Sequence, residues 1–571
     1  MDRFVRSLNP LPASIADSRH PVLPLVPKYL HVRPMNLRTL LSLLLLLPAA
    51  SAEPARKERW IYIPTNFQVE ERADGVIVLL ERAAKSGYTH ALVADSKFSR
   101  LATVTEAYAP NVGRVKAAAA RLGIELVPAL FSVGYSNDLL FHDPNLAEGL
   151  PVKDARFVVK DGVATIQPDP ATPLPGGAMN DRAGWDFIDD SLAPSDGAMR
   201  SSATESNARL HKMLKVAPFR QYHVSVRIRS QGLAGGTPEI KAIGKDGRQL
   251  QWTNLKVAAD QDWTRHDVTF NSLDSDEVAL YLGVWGGHRG TLWWDDATVT
   301  ECGPVNLLRR PGAPLAVKKA DGTLLAEGKD YGPVTNPDTG TKPWKGEFTS
   351  WHRPPAIPAK GLPDGELLHV SYFHTHLVYD GQVCACVEEP AFQEILRDQA
   401  KRVTALWGGR THMMSHDEWR VLGWDESCRS SGRTAGEIAA RNLAFCTGLL
   451  RDAVPGGRIL VWNDMFDPHH NAKKDYYLVR DSLEGSWEGL KPGAEIMNWN
   501  FGQRDESLAF FAKRGHPQVI AGYYDGPLDD VRAWLASAAK VKDVKGFMYT
   551  TWHNDYSKLE EVAAILGKAG W

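Results

Sequence analysis

The dipeptide Asp417-Glu418 is where this sequence most plainly offers chemistry. It follows a short apolar run at 412–415 and precedes Trp419, Arg420 and Trp424. Two carboxyl groups this close repel when both are charged. One of them then keeps its proton to higher pH and can serve as an acid near neutrality. A solvated loop pair, or a salt bridge to Arg420, is the plainer alternative. Polar residues recur in the same way at the ends of other apolar runs. They are Asp95, His374 and His376, His416, Asn463-Asp464, Asn498-Trp499-Asn500, Tyr523-Tyr524-Asp525 and Trp552-His553-Asn554-Asp555.

These residues need elements to bring them together. Nearly continuous apolar runs at 60–64, 91–94 and 126–131 alternate with helical patterns at 75–85 and 112–122, as expected of parallel strands covered by helices. The rhythm stops near residue 138 and resumes near 367. Strands are then expected at 367–373, 412–415, 459–463, 496–500, 519–523 and 546–550, and helices at 391–406, 435–453, 507–513, 528–540 and 559–567. Nine strand candidates fit a (β/α)8 barrel of the TIM type with one accessory strand, an α/β fold. Active sites of such barrels lie at the C-terminal ends of the strands, where the residues above fall.

The interruption has its own period of two, at 222–229, 239–243 and 278–285, broken by Gly, Asp and Asn clusters. That is the pattern of an antiparallel sandwich. With its closing Trp293-Trp294-Asp295-Asp296, it resembles the jelly-roll carbohydrate-binding modules appended to many glycoside hydrolases. Trp285, Trp293 and Trp294 are either platform aromatics or core. The expected layout is a leader at 1–52, a first barrel part at 53–138, a linker at 139–177, an inserted all-β jelly roll at 178–303, a β-rich connector at 304–366 and a second barrel part at 367–571.

Composition narrows the partners. The 571 residues carry 66 basic and 68 acidic side chains, a balance unlike that of a polyanion binder, so no nucleic acid is expected. Eighteen tryptophans supply either core or flat stacking faces. Met35-Asn-Leu-Arg38, the apolar run 40–47 and Ala50-Ser51-Ala52 make a secretory signal ending near Ala52, which is too short to span a bilayer. A secreted or periplasmic location without stable membrane insertion follows. Cys386 and Cys428, two of five cysteines, are a candidate bridge.

Thr411-His-Met-Met-Ser-His-Asp-Glu418 resembles the strand-end H-x-G-G-D-E of glycoside hydrolase family 20, the β-N-acetylhexosaminidases. Val461-Trp-Asn-Asp464 and Thr551-Trp552 resemble later strand ends of that family. Ser415-His416 replaces the double glycine. The resemblance implies hydrolysis of an N-acetylhexosamine-containing glycan. Glu418 would be the general acid, and Asp417 would orient the substrate's 2-acetamido group, which attacks the anomeric carbon. Substrate contacts would come from His374, His416, Trp462, Asp464, Trp499, Tyr523, Trp552 and Asp95. Two other readings stand beside it. One is a retaining glycosidase of another clan in which Glu418 is the acid/base and a separate carboxylate, such as Asp464 or Asp525, is the nucleophile. The other is a non-catalytic glycan-binding protein. His374-Thr-His376 echoes the zinc-binding H-x-H of barrel amidohydrolases. In those enzymes it ends the first strand, so no metal and no other cofactor is expected here.

Overall fold

The structure is a computed structural model that describes residues 57–571 except 170 and 380, and except the side chain of residue 246. The expected leader, with its start at Met35 and its cleavage near Ala52, lies outside the described residues. Arg56–Trp571 form one compact unit.

Eight parallel strands close into a barrel: β1 (Glu58–Thr65), β2 (His90–Asp95), β3 (Glu125–Leu130), β4 (Thr411–Met414), β5 (Arg458–Trp462), β6 (Ala494–Asn498), β7 (Gln518–Tyr524) and β8 (Val544–Thr550). Pairing of Glu58 with Gly546, continuing to Ile61 with Tyr549, shuts the ring. Side chains alternate between its two faces. Trp60, Leu92, Val127, Met413, Leu460, Trp462, Met497, Val519, Ala521 and Met548 fill the interior as one cluster. Their neighbours Ile61, Val93, Val461, Ile496, Ile520 and Phe547 pack in the larger cluster that includes the helices. Both faces are thus buried, which explains the continuous apolar runs.

The longer α-helices are α1 (Glu70–Lys85), α2 (Tyr108–Leu122), α3 (Pro390–Trp407), α4 (Ala435–Ala453), α5 (Arg504–Lys513), α6 (Leu528–Ala538) and α7 (Leu559–Lys568). Gly123 ends α2 at φ 70°, a left-handed cap that costs glycine little. A capping box of Thr434 and Glu437 starts α4.

Between β3 and β4 lie three antiparallel sheets. One runs Gln261–Asn271, Gln221–Ala234, Arg289–Glu301, Ala198–Ser201, Leu192–Ser195. A second runs Gln249–Asn254, Pro238–Ile243, Glu277–Val284, Ala208–Lys215, Phe187–Ile188. Trp294 is core, whereas Trp293 lies outside between Arg200 and Arg229, and Trp285 packs under Lys241.

The third sheet corrects a sequence expectation. Leu367–His374, expected in the barrel, pairs antiparallel with Leu150–Lys160 and Ala316–Lys319 in a sheet of six strands. Its buried Leu368, Val370 and Tyr372 face a separate apolar cluster, and the opposite face is half-buried until Phe373 near the strand's end. An apolar run of this length does not show by itself which sheet it joins. The segment 139–177, read as linker, likewise contributes Leu150–Lys160 and Val163–Ile166 to this sheet. The five cysteines are free thiols; Cys386 and Cys428 face each other at 3.6 Å between sulfurs, well beyond the roughly 2.05 Å of a disulfide. Among the described residues no helix is long and apolar enough to cross a membrane.

Candidate functional site

A cavity of about 860 Å³ opens at the C-terminal ends of the strands, with Tyr62, Tyr135, Asp417, Glu418, Arg420, Trp462, Trp499 and Trp552 among its lining residues. Its most constrained backbone is the turn that follows β4. Ser415 donates its N–H to the Leu130 carbonyl at 2.6 Å, which tethers the turn to the end of β3. Gly134 lies flat against the next peptides: a Cβ there would come 1.9 Å from the Asp417 carbonyl oxygen, so only glycine fits without a shift. Glu418 sits at φ 47°, a left-handed conformation that side-chain-bearing residues rarely adopt. Two side chains hold it there. Its N–H donates to Asp464 Oδ2 at 2.8 Å, and its carbonyl accepts from Gln382 Nε2 at 2.7 Å. Strain kept in place by neighbours in this way is common at functional sites.

The two carboxyls of the pair have different surroundings. Glu418 Oε1 lies 2.7 Å from Arg420 Nη2, and its Oε2 accepts from the Tyr135 hydroxyl. Arg420 is buried; it also donates to Tyr135 Oη at 3.2 Å and to Gln382, and it packs against the rings of Tyr379 and Tyr477. Among the described residues Asp417 has no such cation in contact. Burial, then the charge of Glu418, pushes its carboxyl up to about 7, with Arg420 opposing more weakly. Asp464, fully buried beneath the pair, accepts from Glu418 N–H and from Asn471 Nδ2 at 3.0 Å, while its Oδ1 has no partner. Burial and the nearby Asp417 charge hold Asp464 far above the ordinary carboxylate range. Three carboxyls thus face one guanidinium, which Glu418 alone contacts.

Aromatic rings wall one side. Tyr62 meets Trp552 edge-on at 5.4 Å between ring centres, and Tyr524 stacks on Trp552 at 6.1 Å. The Tyr524 hydroxyl donates to the Trp499 carbonyl at 2.9 Å. Trp552 stands at the rim, 52 % exposed, with its backbone N–H on Asp525 Oδ2 at 2.7 Å. Flat apolar faces beside carboxyls suit a ligand with both C–H faces and hydroxyls.

Of the residues singled out in the sequence, Asp95, Asp417, Glu418, Trp462, Trp499 and Trp552 line the cavity, and Asp464 supports its floor. Asp95 is committed to the protein itself, accepting from the N–H groups of Phe67 and Lys97 and from the Tyr108 hydroxyl. Three others are elsewhere. His374 is fully buried between the antiparallel sheets, with its ring nitrogens on Gln221 at 3.1 Å and Asn271 at 3.0 Å. It ends a strand, but not a barrel strand. His416 points away from the cavity to Asn442 on α4 at 3.0 Å, packed by Phe131, Trp419 and Phe466. Tyr523 stacks on Tyr549 at 4.5 Å in the cluster that includes the helices, and an irregularity between Ala521 and Tyr523 turns Tyr524 toward the cavity instead. Sequence reasoning missed Tyr62, Tyr135 and Gln382; the salt bridge to Arg420, the plainer alternative for the pair, is present at Glu418. Alternation along β1 signals Tyr62; nothing local signals Tyr135 or Gln382, which arrive on distant loops.

The fold and site together define a parallel barrel whose mouth carries clustered carboxyls and an aromatic wall. No protein-family model and no curated protein matches the chain. Solved structures resembling it include a CBM4 module, 16 % identical over 22 % of this chain and 99 % of that one, with TM-score 0.18. A rhamnosidase from a Novosphingobium species is 10 % identical over 91 % of this chain, which spans 59 % of the rhamnosidase, with TM-score 0.34. A GH20 exo-β-N-acetylglucosaminidase from Vibrio harveyi, solved as an inactive variant, is 14 % identical over 34 % of this chain and 33 % of that one, with TM-score 0.24. Likenesses of this size say nothing about activity.

Proposed function

We propose that the protein is an exported glycoside hydrolase, with Asp417 and Glu418 as its catalytic carboxyls and an N-acetylhexosamine-containing glycan as its substrate. In this reading the barrel is of the (β/α)8 TIM type and the two five-stranded sheets form a jelly-roll insert. The observation that carries it is the unequal setting of two adjacent carboxyls at the barrel mouth. Burial favours a proton on Asp417, while Glu418 is ion-paired to Arg420. Acid and charge roles are separated by environment in just this manner in glycosidases.

Asp417 then protonates the glycosidic oxygen as the bond breaks. Glu418, ionised against Arg420, balances the positive charge that develops at the anomeric carbon and accepts the acetamido N–H; the acetamido oxygen attacks that carbon. Water opens the resulting ring, with Asp417, now a carboxylate, as base. Trp499 and Trp552 hold the sugar faces. The resemblance to family 20 assigns the acid to Glu418 instead. The position of Arg420 supports the reverse division, because a contacting cation favours a carboxylate over a carboxylic acid. The test is a screen of aryl glycosides with and without a 2-acetamido group, run alongside a thiazoline inhibitor. Turnover of the acetamido substrates and inhibition by the thiazoline are expected; absence of turnover on every aryl glycoside, with binding retained, would instead favour a glycan-binding protein.

The Glu418–Arg420 ion pair also suits a second reading, in which Glu418 itself is the nucleophile of an ordinary retaining mechanism. Rescue of Glu418→Ala by azide, with no thiazoline inhibition of the wild type, would replace the first reading.

A further inference from the structure

Away from the cavity, Glu148, Cys386, Asp425 and Cys428 bring two thiols and two carboxyls together, with ligand atoms all within 4.8 Å of one another. All four residues are buried, at 0 or 1 % exposure. Cys386 Sγ lies 3.6 Å from Cys428 Sγ and 3.4 Å from Asp425 Oδ1, and Cys428 Sγ lies 3.5 Å from Glu148 Oε2. A tetrahedral zinc ion with Zn–S of about 2.3 Å and Zn–O of about 2.0–2.2 Å requires ligand-to-ligand edges of about 3.4–3.8 Å. The three measured edges fall in that range.

The remaining bonds of the carboxyls leave one oxygen of each directed at the thiols. Glu148 Oε1 accepts from the N–H groups of Trp424 at 2.7 Å and Asp425 at 3.3 Å, so Oε2 is the oxygen facing Cys428. Asp425 Oδ2 accepts from Arg310 at 2.6 Å, so Oδ1, which also accepts the Cys428 N–H at 3.1 Å and keeps a second lone pair, is the oxygen facing Cys386. Among the described residues Arg310 is the one guanidinium in contact, and it is shared with Glu389 at 2.6 Å. Two buried carboxyls, of which Asp425 alone contacts a cation, make a site of negative character, and two sulfurs make it one for a thiophilic dication.

We propose that Glu148, Cys386, Asp425 and Cys428 form a structural site for a thiophilic divalent cation, with zinc as its expected occupant. Binding displaces the two thiol protons to solvent, and two thiolates and two carboxylates then hold the metal. The position of the site suggests what it does. Asp425 and Cys428 lie on the chain just after Glu418 and Arg420, while Cys386 lies four residues after Gln382, which bonds the Glu418 carbonyl. A cation here ties together the two loops that shape the turn after β4.

The rival is a Cys386–Cys428 disulfide, and one experiment separates the two. The full chain, purified without chelator, is analysed for metals by mass spectrometry, and its thiols are titrated in denaturant with and without EDTA. The proposal expects one zinc per chain, five titrating thiols once EDTA is present, and a lower Tm after chelation that added zinc restores. Zinc lost in Glu148→Gln and Cys428→Ser, but kept in Cys446→Ser, would place the metal at this site. Three titrating thiols with no metal would show the disulfide and overturn the proposal. Five thiols with no bound zinc, and no rise in Tm on adding zinc, would overturn it as well.

Discussion

Two buried acidic clusters can be compared, each supplied with one contacting guanidinium. At the barrel mouth, Arg420 contacts Glu418, with Asp417 and Asp464 beside it; deeper in the loops, Arg310 contacts Asp425, with Glu148 beside it. The first faces a cavity walled by tryptophan and tyrosine, and two of its three carboxyls have no cation in contact. The second is closed to solvent, with two buried thiols beside its carboxyls. Burial of carboxyls alone therefore does not mark an active site. What separates the clusters is access to the cavity.

The largest expected effect breaks the first cluster and spares the second. Asp417→Asn and Glu418→Gln should each lower kcat/KM by about 10²–10⁴-fold while leaving Tm nearly unchanged. Arginine substitutions should separate the clusters in the opposite sense. Arg310→Met leaves Asp425 buried without its cation and should cost about 3–5 kcal/mol of stability, read by urea unfolding. Arg420→Met should cost less, because the Glu418 side chain is 25 % exposed and can reach water in the cavity, yet it should remove most activity. A large stability loss from Arg420→Met with activity retained would make the mouth a structural cluster like the other.

Gly134→Ala should come next. Its Cβ must displace the Asp417 carbonyl, and a catalytic group misplaced by about 1 Å can lose about 100-fold in kcat. A kcat at the wild-type level would mean the turn yields freely. The smallest effect belongs to the rim. Trp552→Ala removes one stacking face and should raise KM about fivefold, about 1 kcal/mol, with little change in kcat.

The sequence made the barrel strands legible because both of their faces are buried, and six of the helices because their apolar stripes are regular; Arg504–Lys513, which buries Ser507, Leu508 and Phe511, has no such stripe. Leu367–His374 was misassigned because a half-buried antiparallel strand and a buried parallel one can share an apolar run. The acid pair was legible from position alone. His416 was not, since alternation beyond β4 turns it toward Asn442 once Asp417 faces the cavity. Tyr523 and Tyr524 exchange roles through a one-residue irregularity that no composition announces. The division of charge within the pair depends on Glu418 adopting a left-handed turn and on Gln382 arriving from a distant loop, and neither leaves a local signal.

The most direct test is the pH and leaving-group dependence of kcat/KM for wild type and Asp417→Asn on a series of aryl N-acetylhexosaminides. The proton on Asp417 is present below a value near 7 and is lost as pH rises through it, so wild-type activity should fall on the alkaline side. The same raised carboxyl means the folded chain holds a proton the unfolded chain releases between about pH 4 and 7, so this group's contribution to stability also declines as pH rises across that window. In Asp417→Asn the alkaline limb should vanish, and the loss should be greatest for poor leaving groups and slight for dinitrophenol. An Asp417→Asn enzyme that keeps the wild-type limb, with the leaving-group sensitivity appearing in Glu418→Gln instead, would contradict the division of roles drawn from Arg420.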